Sequence, residues 1–253
     1  TYGDRLHKDY ASADDELLRT VVHTCVDKGG KLIIPSFSVG RTQELVYSFN
    51  KFFNEDRLPR VEIFVDSPLA VNATTIFTMH PECFNRETIA LMQTDPDPFG
   101  FNRLNYIVRR EDSKKLNDYR KPCIIISASG MMEAGRIKHH LANNISDPRN
   151  TVLIVGYCSP ATLGARIAGG AREVSIHGTL YSVNAEIKKI DAFSGHGDYR
   201  EMISFLECQD KKALQDMFLV HGEYETQLKY SGELKKAGFN NIHIPSMRQE
   251  YTL

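Results

Sequence analysis

Apolar residues recur at helical spacing through "DDELLRTVVHTCVDK" (14–28), with Asp14 and Asp15 near its start and Gly29-Gly30 stopping it. "KLIIP" then sets apolar residues side by side as a short buried strand, and "SFSVGRTQELVYSFNKFF" returns to helical spacing. The same succession recurs in "VEIFVDSPLA" leading into 69–80, in "PCIIISASGMMEAGRIKHHL", in "TVLIVGYCSPATLGARI", and in "MFLVHGEYETQLKYSGELKKAG" followed by "NIHIP". Each unit is an apolar, β-branched strand, a turn of small residues and a helix. Strands apolar at every position are buried on both faces. The pattern therefore predicts an α/β fold built on a mostly parallel, Rossmann-like sheet with helices on both sides.

Two stretches break the rhythm. "QTDPDPFGFNR" (93–103) is a Pro/Asp/Gly loop, and "EVSIHGTLYSVNAEIKKIDAF" (173–193) alternates without a helix, which predicts antiparallel strands and a domain transition near 183–190. No internal repeat or low-complexity tract interrupts the chain.

In open parallel sheets ligands bind beyond the carboxyl ends of the strands, where helix N-termini present free N–H groups. The turns at those ends carry Ser36, Ser38, Ser127, Ser129 and Gly130, with Arg41, Arg136 and Arg166 just inside the following helices. Hydroxyls, close backbone approach and guanidinium groups together suit phosphate oxygens, although Ser and Gly also cap helices with no ligand present. His196 in "FSGHGD" and His221 in "LVHGE" each precede a glycine at a strand-to-helix junction, where an imidazole can be a metal ligand, a general acid or base, or a cap. Asp66 ends the apolar strand "FVD": either it caps the next helix or it orients a histidine such as His196 and raises that imidazole's pKa. His139 and His140 are adjacent on a helix and point in different directions, so they are expected to be surface or packing residues.

Composition narrows the classes. The 253 residues suffice for one large α/β domain or two smaller ones, and the net charge of −1 gives a polyanion no global attraction. Any nucleic acid must be met through a focused cleft. No apolar run approaches the ~20 residues that cross a bilayer, so no membrane partner and a cytoplasmic setting are expected. Cys25, Cys83, Cys123, Cys158 and Cys208 are widely spaced and odd in number, reading as reduced thiols and not as a disulfide framework or zinc knuckle. The chain opens "TYGDRLHKDY" with no initiator Met, which suggests a processed product or a piece of something longer.

Taken in order, these strings resemble the β-CASP branch of the metallo-β-lactamase fold. That branch comprises zinc-dependent nucleases, including the RNase J type and the endonuclease subunit of the eukaryotic cleavage and polyadenylation machinery. "TYGDR" is similar to the end of the lactamase-like N-terminal half. "GGKLIIPSFSVGRTQELV", "SASGMMEAGRIKHHL" and "GYCSPATLGARI" are similar to the inserted cap, and "FSGHGD" and "LVHGE" to the return into the lactamase-like αββα domain. The resemblance implies the end of the N-terminal segment at 1–12, a β-CASP cap at 13–186 and a closing segment at 187–253.

It further implies that Asp66 matches the family's acidic motif, that His196 contacts the scissile phosphate and protonates the leaving oxygen, and that His221 ligates one of two zinc ions. The implied substrate is single-stranded RNA, and the implied partners are an upstream metallo-β-lactamase segment and, admissibly, a second copy of the chain as a homodimer. The family's H-x-H-x-D-H metal motif is missing from this sequence, so the chain alone is expected to lack a dinuclear zinc centre and nuclease activity. Two other readings remain open: a non-catalytic RNA-binding or scaffold homologue, and a mononucleotide-binding Rossmann-like domain, the latter weakened by the lack of G-x-G-x-x-G after a strand.

Overall fold

A computed structural model describes residues 3–6, 10–191, 193 and 196–252. The chain divides into two compact units, one of residues 9–193 and one of residues 1–8 with 194–253.

The larger unit runs α1 (Tyr10–Val21), β1 (Lys31–Pro35), α2 (Arg41–Asn54), β2 (Glu62–Asp66), α3 (Pro68–Met79), α4 (Arg86–Leu91) and β3 (Leu104–Tyr106). It continues through α5 (Arg110–Lys115), β4 (Cys123–Ser127), α6 (Ile137–Asn144), β5 (Thr151–Ile154), α7 (Leu163–Ala168), β6 (Glu173–Ile176), β7 (Thr179–Ser182) and β8 (Glu186–Lys189). The main sheet has the order β3-β2-β4-β1-β5-β8, and every pairing in it is parallel.

Strand residues alternate strictly between two hydrophobic cores. Leu32, Ile34, Ile63, Val65, Ile124, Ile126 and Leu153 face one core with Leu17 of α1 and Leu45, Phe49 and Phe52 of α2. Ile33, Phe64, Ile125, Val152 and Ile154 face the other, with Ile137 and Leu141 of α6 and Leu163 and Ile167 of α7. This is the physical reason the strands read as unbroken apolar runs: both faces are covered. Adjacent β1 and β4 send their following helices, α2 and α6, to opposite faces, the arrangement of a topological switch point.

The expectation of antiparallel strands over 173–193 holds for part of that stretch. β6 and β7 form an antiparallel hairpin, but β8 joins the main sheet parallel to β5. Charge fixes β8 there. Glu186 accepts a hydrogen bond from Lys28 Nζ at 2.8 Å and lies 3.0 Å from His23 Nε2. Partial burial would raise that carboxyl, but Lys28, Lys188 and His23 together bring it down to about 2. With β8 in the sheet, the larger unit extends to residue 193.

The smaller unit contains α8 (Tyr199–Leu206), β9 (Met217–Phe218), α9 (Tyr224–Lys236) and β10 (Ile242–His243), with β9 and β10 paired in parallel. Asp198 starts α8 through a capping box. Its Oδ1 accepts from the backbone N–H of Arg200 and Glu201, while Glu201 Oε2 accepts from the Asp198 N–H. The core here is small: Tyr230, Leu234 and Phe239, with Met202, Ile203 and Leu206 of α8 against them. No helix among the described residues is long and apolar enough to cross a membrane.

Candidate functional site

In the larger unit the predicted small-residue turns do gather at one sheet edge. Parallel register places Pro35, Ser127 and Asp66 side by side, so the segments after β1, β2 and β4 emerge together. Ser38 Oγ lies 2.9 Å from Ser67 Oγ, joining the turns after β1 and β2. The ring of Phe37 lies against Gly130, where an added Cβ would meet it at 2.9 Å. Gly164 at the start of α7 donates its N–H to the carbonyl of Met131, bringing in the turn after β5.

Burial sorts the predicted phosphate-binding residues. Ser36 and Ser127 are each 1% exposed. Ser36 accepts from the Thr42 hydroxyl, and Ser127 donates to the backbone carbonyl of Asp66 at 2.9 Å. Both therefore fasten the turns from within, a correction to the expectation that they face a phosphate. Arg136 is half-buried: its Nη1 donates to Asp66 Oδ1 at 2.6 Å and to the Ile107 carbonyl, and its Nη2 donates to the Val108 carbonyl, while part of its side chain lines a hollow with Arg110 and Lys114. Arg41 is buried, ion-paired with Glu44 and placed over the Phe193 ring. Ser38, Ser129 and Gly130 are half-buried, and Arg166 is exposed on α7, so these four keep surface for a ligand.

Asp66 has a histidine partner, and within its own unit it is His140. His140 Nε2 lies 2.6 Å from Asp66 Oδ2, the Ser113 hydroxyl donates to the same oxygen at 2.5 Å, and Arg136 holds the other. Burial would raise the carboxyl, but the hydrogen bonds from His140, Ser113 and Arg136 outweigh it and hold Asp66 below its ordinary value. His140, expected to be a surface or packing residue, is 1% exposed and belongs to this network. The spacing Arg136-x-x-x-His140 is the signal that could have found it, since residues four apart share a helix face. Ser113 had no comparable signal: only the fold brings α5 to β2.

In the smaller unit the two singled-out histidines meet. The rings of His196 and His221 have centroids 5.8 Å apart with planes inclined at 42°, although 25 positions separate them in sequence. Both are exposed. His221 holds a left-handed backbone at φ +65°, which costs a non-glycine residue energy and turns its side chain out of the strand direction. The predicted room between glycines is only partly described: Gly195 lies outside the described residues, and a Cβ at Gly197 would make ordinary contacts from 3.4 Å. Neutral imidazole nitrogen suits zinc, and a catalytic zinc takes about three protein ligands, so His221 fits as one member of a larger donor set. Among the described residues no group of three or more His, Cys, Asp or Glu side chains stands close enough to hold a metal ion.

Comparison with known proteins adds an independent line. A family model described as the Beta-Casp domain matches residues 42–167, and one described as the Zn-dependent metallo-hydrolase RNA specificity domain matches residues 180–245. The chain is 35% identical over 228 residues to Ribonuclease TTHA0252 of Thermus thermophilus, covering 90% of this chain and 51% of that protein. It is 30% identical over 230 residues to the transcription termination factor FttA of Methanosarcina mazei, covering 88% and 36%. It is 29% identical over 233 residues to an RNase J-like protein of Methanocaldococcus jannaschii, covering 91% and 52%. The chain thus spans about half, or less, of the length of the curated relatives it matches.

Proposed function

Since the chain belongs to the β-CASP family of metallo-β-lactamase-fold proteins, we propose that it forms part of a zinc-dependent ribonuclease that hydrolyses RNA phosphodiester bonds. The observation that carries this reading is the meeting of the His196 and His221 rings just ahead of α8 and α9 of the smaller unit. His221 would hold a zinc ion, which when bound supplies an activated hydroxide and neutralises phosphate charge. His196, exposed beside it, donates a proton to the departing oxygen as the general acid.

In the larger unit Ser38, Ser129, Gly130 and Arg166 offer hydroxyl, backbone and guanidinium donors for the phosphates of single-stranded RNA. Asp66 enters as a positioning residue, because both its oxygens are held by His140, Ser113 and Arg136. The five free thiols support a reducing, cytoplasmic setting. Since no group of three His, Cys, Asp or Glu able to hold a metal ion stands among the described residues, the 253-residue chain by itself is expected neither to hold stoichiometric zinc nor to cleave.

The test uses the full-length protein on a labelled single-stranded RNA, with zinc measured by elemental analysis. His221→Ala should lower bound zinc and cleavage together. His196→Ala should keep the zinc and lose about 10²–10⁴-fold in kcat. Undiminished cleavage by His196→Ala would remove the assigned acid, and cleavage by the 253-residue chain would overturn the division of the metal site.

A further inference from the structure

Between α5 and α6 of the larger unit lies a hollow of about 590 Å³, within the roughly 300–1,000 Å³ typical of small-molecule sites. Arg110, Ser113, Lys114, Asn117, His139 and His140 line it. Two buried polar atoms on its lining residues have no hydrogen-bond partner, His140 Nδ1 and Asn117 Oδ1. Folded proteins leave few such atoms, and two in one hollow point to something the hollow receives.

Asp66 Oδ2 can only accept, so Nε2 of His140 carries a proton toward it and the ring is held with Nδ1 on the far side, without a partner. The carbonyl oxygen of Asn117 is an acceptor. A matching ligand therefore brings hydroxyl groups, which can donate or accept, to these two atoms.

The rim asks for negative charge. Arg110 and Lys114 are four residues apart on α5, share a face, and are both exposed with no ion-pair partner among the described residues. Two such cations suit phosphate oxygens. Asp118, also in the lining, opposes a bare anion and favours a ligand with a neutral donor-bearing part. His139 adds an exposed aromatic ring, braced by stacking on His177 with centroids 4.6 Å apart, as a face for a flat heterocycle.

We propose that this hollow is a nucleotide-binding site within the cap-like unit. The phosphate lies on Arg110 and Lys114, the base on His139, and sugar hydroxyls on His140 Nδ1 and Asn117 Oδ1. It is built from groups other than the His196–His221 pair. The ligand is either a free mononucleotide or one nucleotide of an RNA strand, which share this chemistry.

Calorimetric titration of the protein with AMP, adenosine and inorganic phosphate tests it. AMP should bind more tightly than either fragment, and R110A/K114A should weaken AMP by about tenfold or more while leaving the thermal midpoint unchanged. N117A should weaken AMP but not phosphate. Competition by a five-nucleotide RNA assigns the site to strand binding, and its failure to compete assigns it to free nucleotide. No AMP binding at millimolar concentration, unchanged AMP affinity in R110A/K114A, or phosphate binding as tightly as AMP overturns the proposal. Cleavage is not read, so the outcome stands apart from the nuclease proposal.

Discussion

Asp66 is fully buried, yet it stays ionised because three donors converge on two oxygens. Removing one side of a buried ion pair commonly costs about 3–5 kcal/mol, since the remaining charge is left without compensation. Asp66→Asn keeps the shape and removes the charge, so denaturant unfolding should show a loss of that order; a change under about 1 kcal/mol would mean Arg136 is satisfied without it. The pH dependence follows from the direction of the shift. A carboxyl depressed in the folded state contributes fully above its unfolded value of about 3.9 and loses that contribution as pH falls through the folded one. Acid titration of stability should therefore fall less steeply below about pH 4 in Asp66→Asn than in the parent. The position of Asp66 at a strand end was visible in sequence; its partners were not, because Ser113 and His140 reach it from elements 47 and 74 positions away.

At the scale of elements, the strand, turn and helix units were legible because each β strand is apolar at nearly every position and each following turn is rich in Ser and Gly. The strand β8 was not, since "EIKK" carries no apolar run and is held by Lys28 and His23 from α1's C-terminal extension. The histidine pair was legible as two junctions, while its closeness needed β9 and α8 to share one small unit. The turn after β4 makes a sharper demand. Gly135 has φ +82°, and a Cβ there would lie 2.3 Å from the Ala128 carbonyl oxygen. Gly135→Ala must shift backbone against backbone and should cost more than about 1 kcal/mol, lowering the melting midpoint by at least about 2–4 °C. An unchanged midpoint would show that this turn opens without consequence for the sheet.

Across the whole molecule the two units differ in how much apolar surface they bury. Residues 9–193 enclose two cores on a six-stranded sheet, whereas the smaller unit rests on a three-residue buried cluster and a two-stranded sheet. Small cores support less stability, and local opening follows burial. Hydrogen exchange should therefore be slow in β1 and β4 and much faster in α8, α9 and β9; equal protection would show that the smaller unit draws stability from more than its own core. The doubly covered sheet has one more consequence. When both sides of a strand are greasy, sliding it by one residue swaps one aliphatic for another, and polarity alone gives little penalty for misalignment. The polar tips, Ser127 bonded to the Asp66 carbonyl and Ser36 donating its N–H to the Ser127 carbonyl, are then the stops that tell neighbouring strands where to end. Groups first suspected of greeting a ligand serve as the molecule's ruler.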